Sequence, residues 1–140
     1  MTISTMVDSN VLIDILGPET LPSRAWSVSA LEACYEAGAI VLSAVVWSEL
    51  AHPEFAEADM AQAFAWLKPR REDFPFRAAY RAGLVHGRYR QRGGQRQRIL
   101  PDFLIGAHAL VGGHRLLTRD AARYRSYFPD LEIVSPETHP

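Results

Sequence analysis

Short apolar runs rich in β-branched residues alternate along this chain with stretches of helical periodicity. Runs of strand length occupy residues 3–7, 39–42, 115–118 and 132–134, and a weaker one occupies residues 73–76. Such alternation is typical of βαβ units, in which a helix connects two parallel strands. The pattern therefore predicts the α/β fold class, with a central, mainly parallel sheet of four to five strands.

Length and composition limit the broad class of protein. The chain has 140 residues, of which 48% are hydrophobic, and we expect a single domain over residues 1–140. The single cysteine, Cys34, excludes an internal disulfide and an all-cysteine zinc site. No apolar run is long enough to span a membrane, and no secretory signal pattern precedes the first strand. We therefore expect a cytoplasmic protein without a membrane anchor.

Turn and cap residues place the helices between these strands. Asn10 is the predicted N-cap of the first helix, and Ser23 is the predicted N-cap of the second. Pro101 suits the first turn of a later helix, which we expect to end at residues 112–113, a Gly-Gly pair. Glu49 falls on a short helix that begins after Ser43.

Four acidic residues fall at junctions between predicted strands and helices. Asp8 closes the first strand, Asp102 lies in the first turn of a helix, Asp120 follows a strand, and Glu49 lies on the short helix after the second strand. Because the carboxyl ends of parallel strands share one edge of a sheet, we expect these side chains to converge there.

Four converging carboxylates cannot all remain ionised without a cation. Mg²⁺ and Mn²⁺ prefer carboxylate oxygen and water, and such an ion polarises a phosphodiester during hydrolysis. We therefore predict that Asp8, Glu49, Asp102 and Asp120 are catalytic and bind Mg²⁺ or Mn²⁺. Taken one at a time, each acid also has an ordinary explanation as a helix cap, a turn former or an exposed helix residue.

Other site chemistries have less support in the sequence. The five histidines show no zinc-type pairing, and His108 is expected to be a satisfied helix histidine. No glycine-rich phosphate loop is present. Asp14, one helical turn beyond Asn10, is a candidate supporting or fifth ligand, and its alternative is a solvated helix face.

Acidic and basic residues are segregated along the chain. Residues 1–67 contain nine acids and one base, whereas residues 68–125 contain fourteen bases and four acids. The basic part is densest at residues 88–98, where we predict five substrate-binding arginines: Arg88, Arg90, Arg92, Arg96 and Arg98. Such a segment can bind phosphates and stack on bases. The alternative is a solvated helix end whose arginines pair with the acidic half of the chain.

Four segments together resemble the successive acidic motifs of PIN-domain nucleases, and the similarity is greatest to VapC-type toxins of bacterial toxin-antitoxin pairs. They are the sequences VDSNVLID at residues 7–14, SAVVWSEL at 43–50, PDFLIGAHA at 101–109 and LTRD at 117–120. The resemblance extends over nearly the whole chain.

This resemblance implies a three-layer α/β/α sandwich, an Mg²⁺- or Mn²⁺-dependent endoribonuclease and frequent homodimers. Asp8, Glu49, Asp102 and Asp120 match the family's acidic quartet, with Asp8 and Asp102 as the principal metal ligands. Asn10 and Thr118 match polar positions that support the quartet. It also implies a cognate antitoxin that holds the toxin inactive.

We therefore expect a metal-dependent endoribonuclease that cleaves tRNA or another structured RNA, and that is the toxin of a toxin-antitoxin pair. One alternative is a housekeeping PIN-domain RNase without an antitoxin, and another is a catalytically silent module that binds RNA or protein. A phosphoacceptor signalling domain is disfavoured, because such a site needs a lysine and the only lysine, Lys68, lies away from the predicted strand ends.

Overall fold

The computed structural model of the protein describes residues 3–140, which form five strands and seven α-helices. The elements in chain order are β1 (Ile3–Val7), α1 (Ser9–Leu16), α2 (Arg24–Ala37), β2 (Gly38–Ser43), α3 (Ala44–Leu50), α4 (Glu57–Ala63), a 3-10 turn (Ala65–Leu67), β3 (Arg70–Glu72), α5 (Phe76–Gln91), α6 (Pro101–Gly112), β4 (Arg115–Leu117), α7 (Ala122–Tyr127) and β5 (Ile133–Val134). None of the helices in this part of the chain has both the length and the apolar character needed to cross a bilayer.

All five strands belong to one parallel sheet with the order β3-β2-β1-β4-β5. The strand β1 lies at the centre, with β2 on one side and β4 on the other. The chain winds outward from β1 in both directions, so the strand order reverses there. Ligand sites of open α/β sheets lie beyond the carboxyl ends of the strands at such a reversal, which is where Asp8 follows β1.

Helices cover both faces of this sheet and complete the three-layer arrangement expected from the sequence. Parallel crossovers are right-handed, so the connections through α1–α4 lie on one face and those through α5–α7 on the other. Contacts of α1 with α2 and α3, and of α6 with α5 and α7, hold each layer together. Fully buried side chains on both faces form the core, among them Met6, Leu31, Phe64, Phe103 and Phe128.

The third strand lies earlier in the chain than predicted. Residues 73–76 do not pair with the sheet, and the residues that pair with β2 are Arg70–Glu72. This is an edge strand of three charged residues, so it shows no apolar alternation that could reveal it. Pro75, in extended conformation, is already the N-cap of α5, which explains why the apolar residues around it belong to a helix start.

Of the two predicted N-caps, Asn10 is wrong, and Ser23 is correct in position but does not cap through its side chain. The N-cap of α1 is Asp8, whose carboxylate accepts a hydrogen bond from the Ser9 backbone N–H, rather than Asn10. Ser23 occupies the N-cap position of α2, but its hydroxyl donates to Asp14 instead of capping the helix. The end of α6 is as expected, because Gly113 adopts the left-handed conformation (φ 73°) that stops the helix.

A buried polar cluster connects α6 with the sheet on the side away from α1. His108 Nδ1 shares a hydrogen bond with Ser43 Oγ (3.1 Å), and His114 Nδ1 shares one with Ser4 Oγ (2.6 Å). Glu72 lies between the two rings, with Oε1 2.9 Å from His114 Nε2 and 3.3 Å from His108 Nε2. The His108 contact is close enough for ion pairing but is not aligned as a hydrogen bond. This cluster ties the edge strand β3 to the helix above it.

Candidate active site

Asp8 lies at the centre of the candidate site. It follows the central strand, caps α1, and is only 4% exposed. Its Oδ1 accepts a hydrogen bond from the Ser9 backbone N–H (2.8 Å), and its Oδ2 accepts hydrogen bonds from Thr118 Oγ1 (2.9 Å) and Tyr124 Oη (3.0 Å). Donors from three different elements therefore fix the position of this carboxylate.

Asp102 is in the first turn of α6 and lies near one of the donors to Asp8, the Tyr124 hydroxyl. Its Oδ1 lies 3.5 Å from Tyr124 Oη, and its Oδ2 accepts a hydrogen bond from Arg123 Nη1 (3.2 Å). The Tyr124 hydroxyl thus lies between Asp8 and Asp102. Asp102 is partly exposed, whereas Asp8 is buried, so Asp102 forms the solvent-facing side of this pair.

Glu49 approaches the other two carboxylates from α3. Partial burial raises the pKa of Glu49, the charges of Asp8 and Asp102 raise it further, and the neighbouring Ser9 side chain offsets part of this increase. Burial likewise raises the pKa of Asp8 and outweighs the hydrogen bonds from Thr118 and Tyr124, while the charge of Asp102 adds to the increase. The mutual repulsion shows that Asp8, Glu49 and Asp102 share one local electrostatic environment.

The structure leaves Asp120 at the rim of this cluster. Its side chain is exposed, and within residues 3–140 its carboxylate has neither a hydrogen-bond partner nor an ion-pair partner. Its backbone N–H donates to Thr118 Oγ1 (3.1 Å), which brings its main chain next to the residue that binds Asp8. Of the four predicted acids, Asp8 and Asp102 flank the Tyr124 hydroxyl, Glu49 is near enough for their charges to raise its pKa, and Asp120 contributes its backbone N–H.

Asn10 and Thr118 form a network around Asp8. Asn10 Nδ2 donates to Thr118 Oγ1 (3.1 Å) and lies 3.4 Å from Asp8 Oδ2, and Asn10 Oδ1 accepts a hydrogen bond from the Arg119 backbone N–H (3.1 Å). The side chain of Arg119 pairs in turn with Asp14. These contacts hold the start of α1 against the end of β4.

Asp14 is a buried structural acid rather than part of a solvated helix face. It is 2% exposed, and its carboxylate accepts hydrogen bonds from Ser23 (2.9 Å), Ser27 (2.6 Å) and Arg119. With these donors around it, Asp14 faces α2 and supports the site indirectly, because it anchors Arg119.

Two residues that contact the acids, Tyr124 and Arg123, were missed in the sequence analysis. Tyr124 is 1% exposed, and burial together with the charges of Asp8 and Asp102 raises its pKa, so its hydroxyl remains protonated. Arg123, its neighbour on α7, is the ion-pair partner of Asp102. A tyrosine and an arginine on a short helix carry no motif, and their position after the last acidic segment was the only available signal.

The basic segment at residues 88–98 contacts α7, and through it α6, the helix that carries Asp102. All five of its arginines are exposed, and in the part of the chain that the structure describes none of them pairs with an acid. The Arg92 guanidinium lies over the Tyr127 ring (4.9 Å), and that ring packs against Phe103, which follows Asp102. The alternative in which these arginines pair with the acidic half of the chain is therefore not realised in this structure.

Comparison with known proteins shows the family. The family described as "PIN domain" matches residues 5–128, which is most of the chain. The chain belongs to the PIN domain family. Members of this family are typically nucleases and are generally metal-dependent.

Solved structures similar to this PIN domain include toxin-antitoxin complexes. VapBC2 from Rickettsia felis, bound to a DNA fragment from its promoter, has 18% identity and a TM-score of 0.73 over 95% of this chain and 98% of that chain. FitAcB from Neisseria gonorrhoeae has 20% identity and a TM-score of 0.67, with 95% and 98% covered. A toxin-antitoxin complex from Klebsiella pneumoniae has 21% identity and a TM-score of 0.68, with 94% and 97% covered. At these identities the likeness shows the fold. No curated protein sequence matches significantly.

The donor set of this PIN domain suits a hard divalent cation, because Asp8, Glu49 and Asp102 offer only carboxylate oxygen and repel one another. The three carboxylates do not surround a common point in this structure. Among residues 3–140 no three acidic, histidine or cysteine side chains are arranged to enclose an ion. Tyr124 and Arg123 occupy acceptor positions of Asp8 and Asp102 instead.

Proposed function

We propose that this PIN domain is an Mg²⁺- or Mn²⁺-dependent endoribonuclease and the toxin of a cytoplasmic toxin-antitoxin pair. Its substrate would be a tRNA or another structured RNA, and residues 1–140 would act as a single domain. The observation that carries this proposal is the position of Asp8 and Asp102 on either side of the Tyr124 hydroxyl, beyond the carboxyl end of the central strand, with Glu49 near enough for both charges to raise its pKa.

Each acidic residue of the site has a separate role in this proposal. Asp8 and Asp102 would be the principal metal ligands and Glu49 would complete the set, while Asp120 at the rim would act directly or through water. A bound Mg²⁺ or Mn²⁺ would stabilise the negative charge that develops on the phosphodiester during hydrolysis. Thr118 and Tyr124 hold the Asp8 carboxylate in position through hydrogen bonds, which limits its reorganisation during the reaction.

RNA would reach the acids along the basic segment. Arg88, Arg90, Arg92, Arg96 and Arg98 would bind backbone phosphates. The contact of Arg92 with Tyr127, whose ring packs against Phe103, connects this segment to the helix that carries Asp102. Exposed cations next to aromatic rings suit single-stranded RNA, in which the bases are free to stack. Loops of folded RNA such as tRNA present such single-stranded regions.

The toxin assignment is supported by the family and by the fold. The similar structure from K. pneumoniae is described as a toxin-antitoxin complex and the one from R. felis as VapBC2, and both match this chain over almost its full length. A cognate antitoxin and a homodimer are therefore part of the proposal. A housekeeping RNase with the same chemistry but no antitoxin is the alternative within the same activity.

One observation favours a second candidate, a catalytically silent RNA-binding module. In this structure the acceptor positions of Asp8 and Asp102 are taken by Tyr124 and Arg123, and the three carboxylates do not surround a single point. A module of that kind would bind RNA through the basic segment but would not cleave it.

The two candidates differ in a cleavage assay on purified total RNA with Mg²⁺ and with EDTA. We expect cleavage with Mg²⁺, none with EDTA, and a loss of at least about 100-fold in Asp8→Asn and Asp102→Asn. Asp59→Asn, which changes an exposed acid in the first turn of α4, is the matched control and should cleave like the wild type. Equal cleavage by all variants would indicate a contaminating nuclease, and RNA binding without cleavage would favour the silent module.

A further inference from the structure

Arg123 brings a positive charge directly to the acidic cluster. Its Nη1 donates a hydrogen bond to Asp102 Oδ2 (3.2 Å), and its side chain is 45% exposed. It precedes Tyr124, whose hydroxyl lies between Asp8 and Asp102. The guanidinium is therefore next to the carboxylate that we propose as a metal ligand, on the side that faces solvent.

The bonding of Arg123 differs from that of its neighbours. Arg119 donates from two nitrogens to the buried Asp14, which also accepts hydrogen bonds from two serines, so Arg119 is fixed in the structure. Arg125 pairs with Glu137 near the end of the chain. Within residues 3–140 Arg123 makes one hydrogen bond to an exposed carboxylate, and its remaining N–H groups are available. Such an exposed ion pair contributes little to stability.

A divalent cation and Arg123 would compete for the same acceptor. If Asp102 binds a metal ion, the carboxylate oxygen that now accepts from Nη1 is a candidate ligand atom. The displaced guanidinium would then lie beside the metal site. A guanidinium has a planar fork of N–H donors that matches two phosphate oxygens, and it remains charged at every physiological pH.

We propose that Arg123 binds the scissile phosphate, and that Arg123 pairs with Asp102 until a divalent cation binds the Asp102 carboxylate. This inference rests on the proposed function and names a further substrate-contacting residue for it. The proposal accounts for the single, exposed hydrogen bond that holds Arg123 at the acidic cluster. A purely structural arginine would be expected to be buried and to have more partners.

The proposal predicts opposite effects of Arg123→Gln on metal and on RNA. Loss of the competing cation should strengthen Mn²⁺ binding by about two- to fivefold, the equivalent of an exposed ion pair. Loss of a charged hydrogen-bond fork should weaken RNA binding by about tenfold. The RNA effect should appear with a divalent cation present and largely disappear in EDTA, because Asp102 then retains the guanidinium. Arg123→Lys should fall between the wild type and Arg123→Gln, because a lysine keeps the charge but lacks the fork.

The test measures Mn²⁺ binding by isothermal titration calorimetry without RNA. It also measures binding of a labelled single-stranded RNA oligonucleotide by anisotropy, in Ca²⁺ and in EDTA, with an intact probe verified on a denaturing gel. Arg125→Gln is the matched control, since Arg125 is on the same helix and similarly exposed (41%) but pairs with Glu137. It should leave Mn²⁺ affinity unchanged. A melting temperature equal to that of the wild type confirms that Arg123→Gln is folded.

Weaker Mn²⁺ binding in Arg123→Gln would show that Arg123 orders Asp102 and would overturn the proposal. RNA affinity that is unchanged, or reduced equally in Ca²⁺ and EDTA, would do the same. Failure of the proposed function has a different signature. A wild-type protein that binds Mn²⁺ and RNA without cleavage contradicts the nuclease but leaves the Arg123 measurement valid. Absence of Mn²⁺ binding in both the wild type and Arg123→Gln contradicts both proposals.

Discussion

The hydroxyl of Tyr124 donates a hydrogen bond to Asp8 Oδ2 over 3.0 Å and lies 3.5 Å from Asp102 Oδ1. A neutral donor thus lies between two carboxylates that repel each other. Burial and the two negative charges raise the pKa of Tyr124, so the hydroxyl keeps its proton throughout the range in which the acids are ionised. This contact places a hydrogen-bond donor where the two carboxylates approach each other.

Tyr124→Phe should therefore damage the site while preserving the core. The ring of Tyr124 is buried and would still fill its space, but Asp8 would lose one of its charged hydrogen bonds, at a cost of about 1–2 kcal/mol in stability. We expect RNA cleavage to fall by about tenfold, because the two carboxylates are no longer held together. Tyr35→Phe, on α2, is the control and should cleave normally. Normal cleavage by Tyr124→Phe would show that the hydroxyl does not position the acids.

Asp8→Asn should make the protein more stable at neutral pH. Burial raises the pKa of Asp8 above its ordinary value of 3.8, so the folded state holds the carboxyl proton more tightly than the unfolded state does. The contribution of the protonated Asp8 carboxyl to the free energy of unfolding is fully present below pH 3.8. It is lost as the pH rises through the folded-state pKa. Asparagine avoids that loss and remains a good N-cap, so we expect a gain of about 1 kcal/mol at pH 7 in EDTA.

Thermal unfolding of both proteins between pH 3.5 and pH 8 measures this difference. The two melting temperatures should converge at the acidic end of the range. Lower stability of Asp8→Asn at pH 7 would indicate that the hydrogen bonds from Thr118 and Tyr124 matter more than the desolvation of Asp8.

Glu72→Gln should destabilise the protein except in acid. Partial burial works to raise the pKa of Glu72, but the hydrogen bond and charge of His114, with the charges of Arg70 and His108, outweigh it and lower that pKa. Its stabilising contribution is therefore present above the ordinary value of 4.5 and is lost as the pH falls through the lower folded-state pKa. We expect Glu72→Gln to lose about 1 kcal/mol at pH 7, and this loss to decrease as the pH falls below 4.5.

Urea unfolding at pH 7 and at pH 3 measures the effect of Glu72→Gln. Glu132→Gln is the control, because Glu132 is exposed and its nearest cation, Arg115, is 3.8 Å away. A loss of stability for Glu72→Gln that is equal at both pH values would show that shape rather than charge is responsible.

Neutralising part of the basic segment should reduce the salt dependence of RNA binding. In the triple variant with glutamine at positions 88, 96 and 98, three exposed cations without acidic partners in the described residues are removed. The slope of log affinity against log salt should fall by about 2, since each phosphate contact on single-stranded nucleic acid contributes about 0.7. Lys68→Gln changes an exposed cation away from this segment and should leave the slope unchanged. An unchanged slope in the triple variant would place the RNA elsewhere.

The sheet and most of the acidic cluster could be predicted because they depend on local patterns. The buried strand before Asp8 and the helix starts at Ser43 and Pro101 are visible in the sequence, and the parallel sheet then brings their ends together. The edge strand β3 could not be predicted, because Arg70–Glu72 pairs through its backbone and has no apolar pattern. Pairing with β2, a tertiary contact, determines its position.

The contacts of Tyr124 and Arg123 could not be predicted for a different reason. Both depend on how α7 packs against α6, and a buried tyrosine on a short helix has the pattern of an ordinary core residue. The prediction that Asn10 caps α1 is wrong for a similar reason. An asparagine at the start of a helix suits both a cap and a hydrogen-bond partner of Thr118, and only the packing of β4 beside α1 distinguishes the two.

The two hydroxyl groups that donate to Asp8 belong to residues more than one hundred positions later in the chain, Thr118 and Tyr124. While the protein is being synthesised, the ribosome therefore carries a polypeptide whose first carboxylate lacks these two donors. The hydrogen bonds that order Asp8 can form only after α7 has emerged from the exit tunnel. The ordered Asp8 carboxylate on which the proposed activity depends is therefore absent from a nascent chain whose α7 is still inside the tunnel.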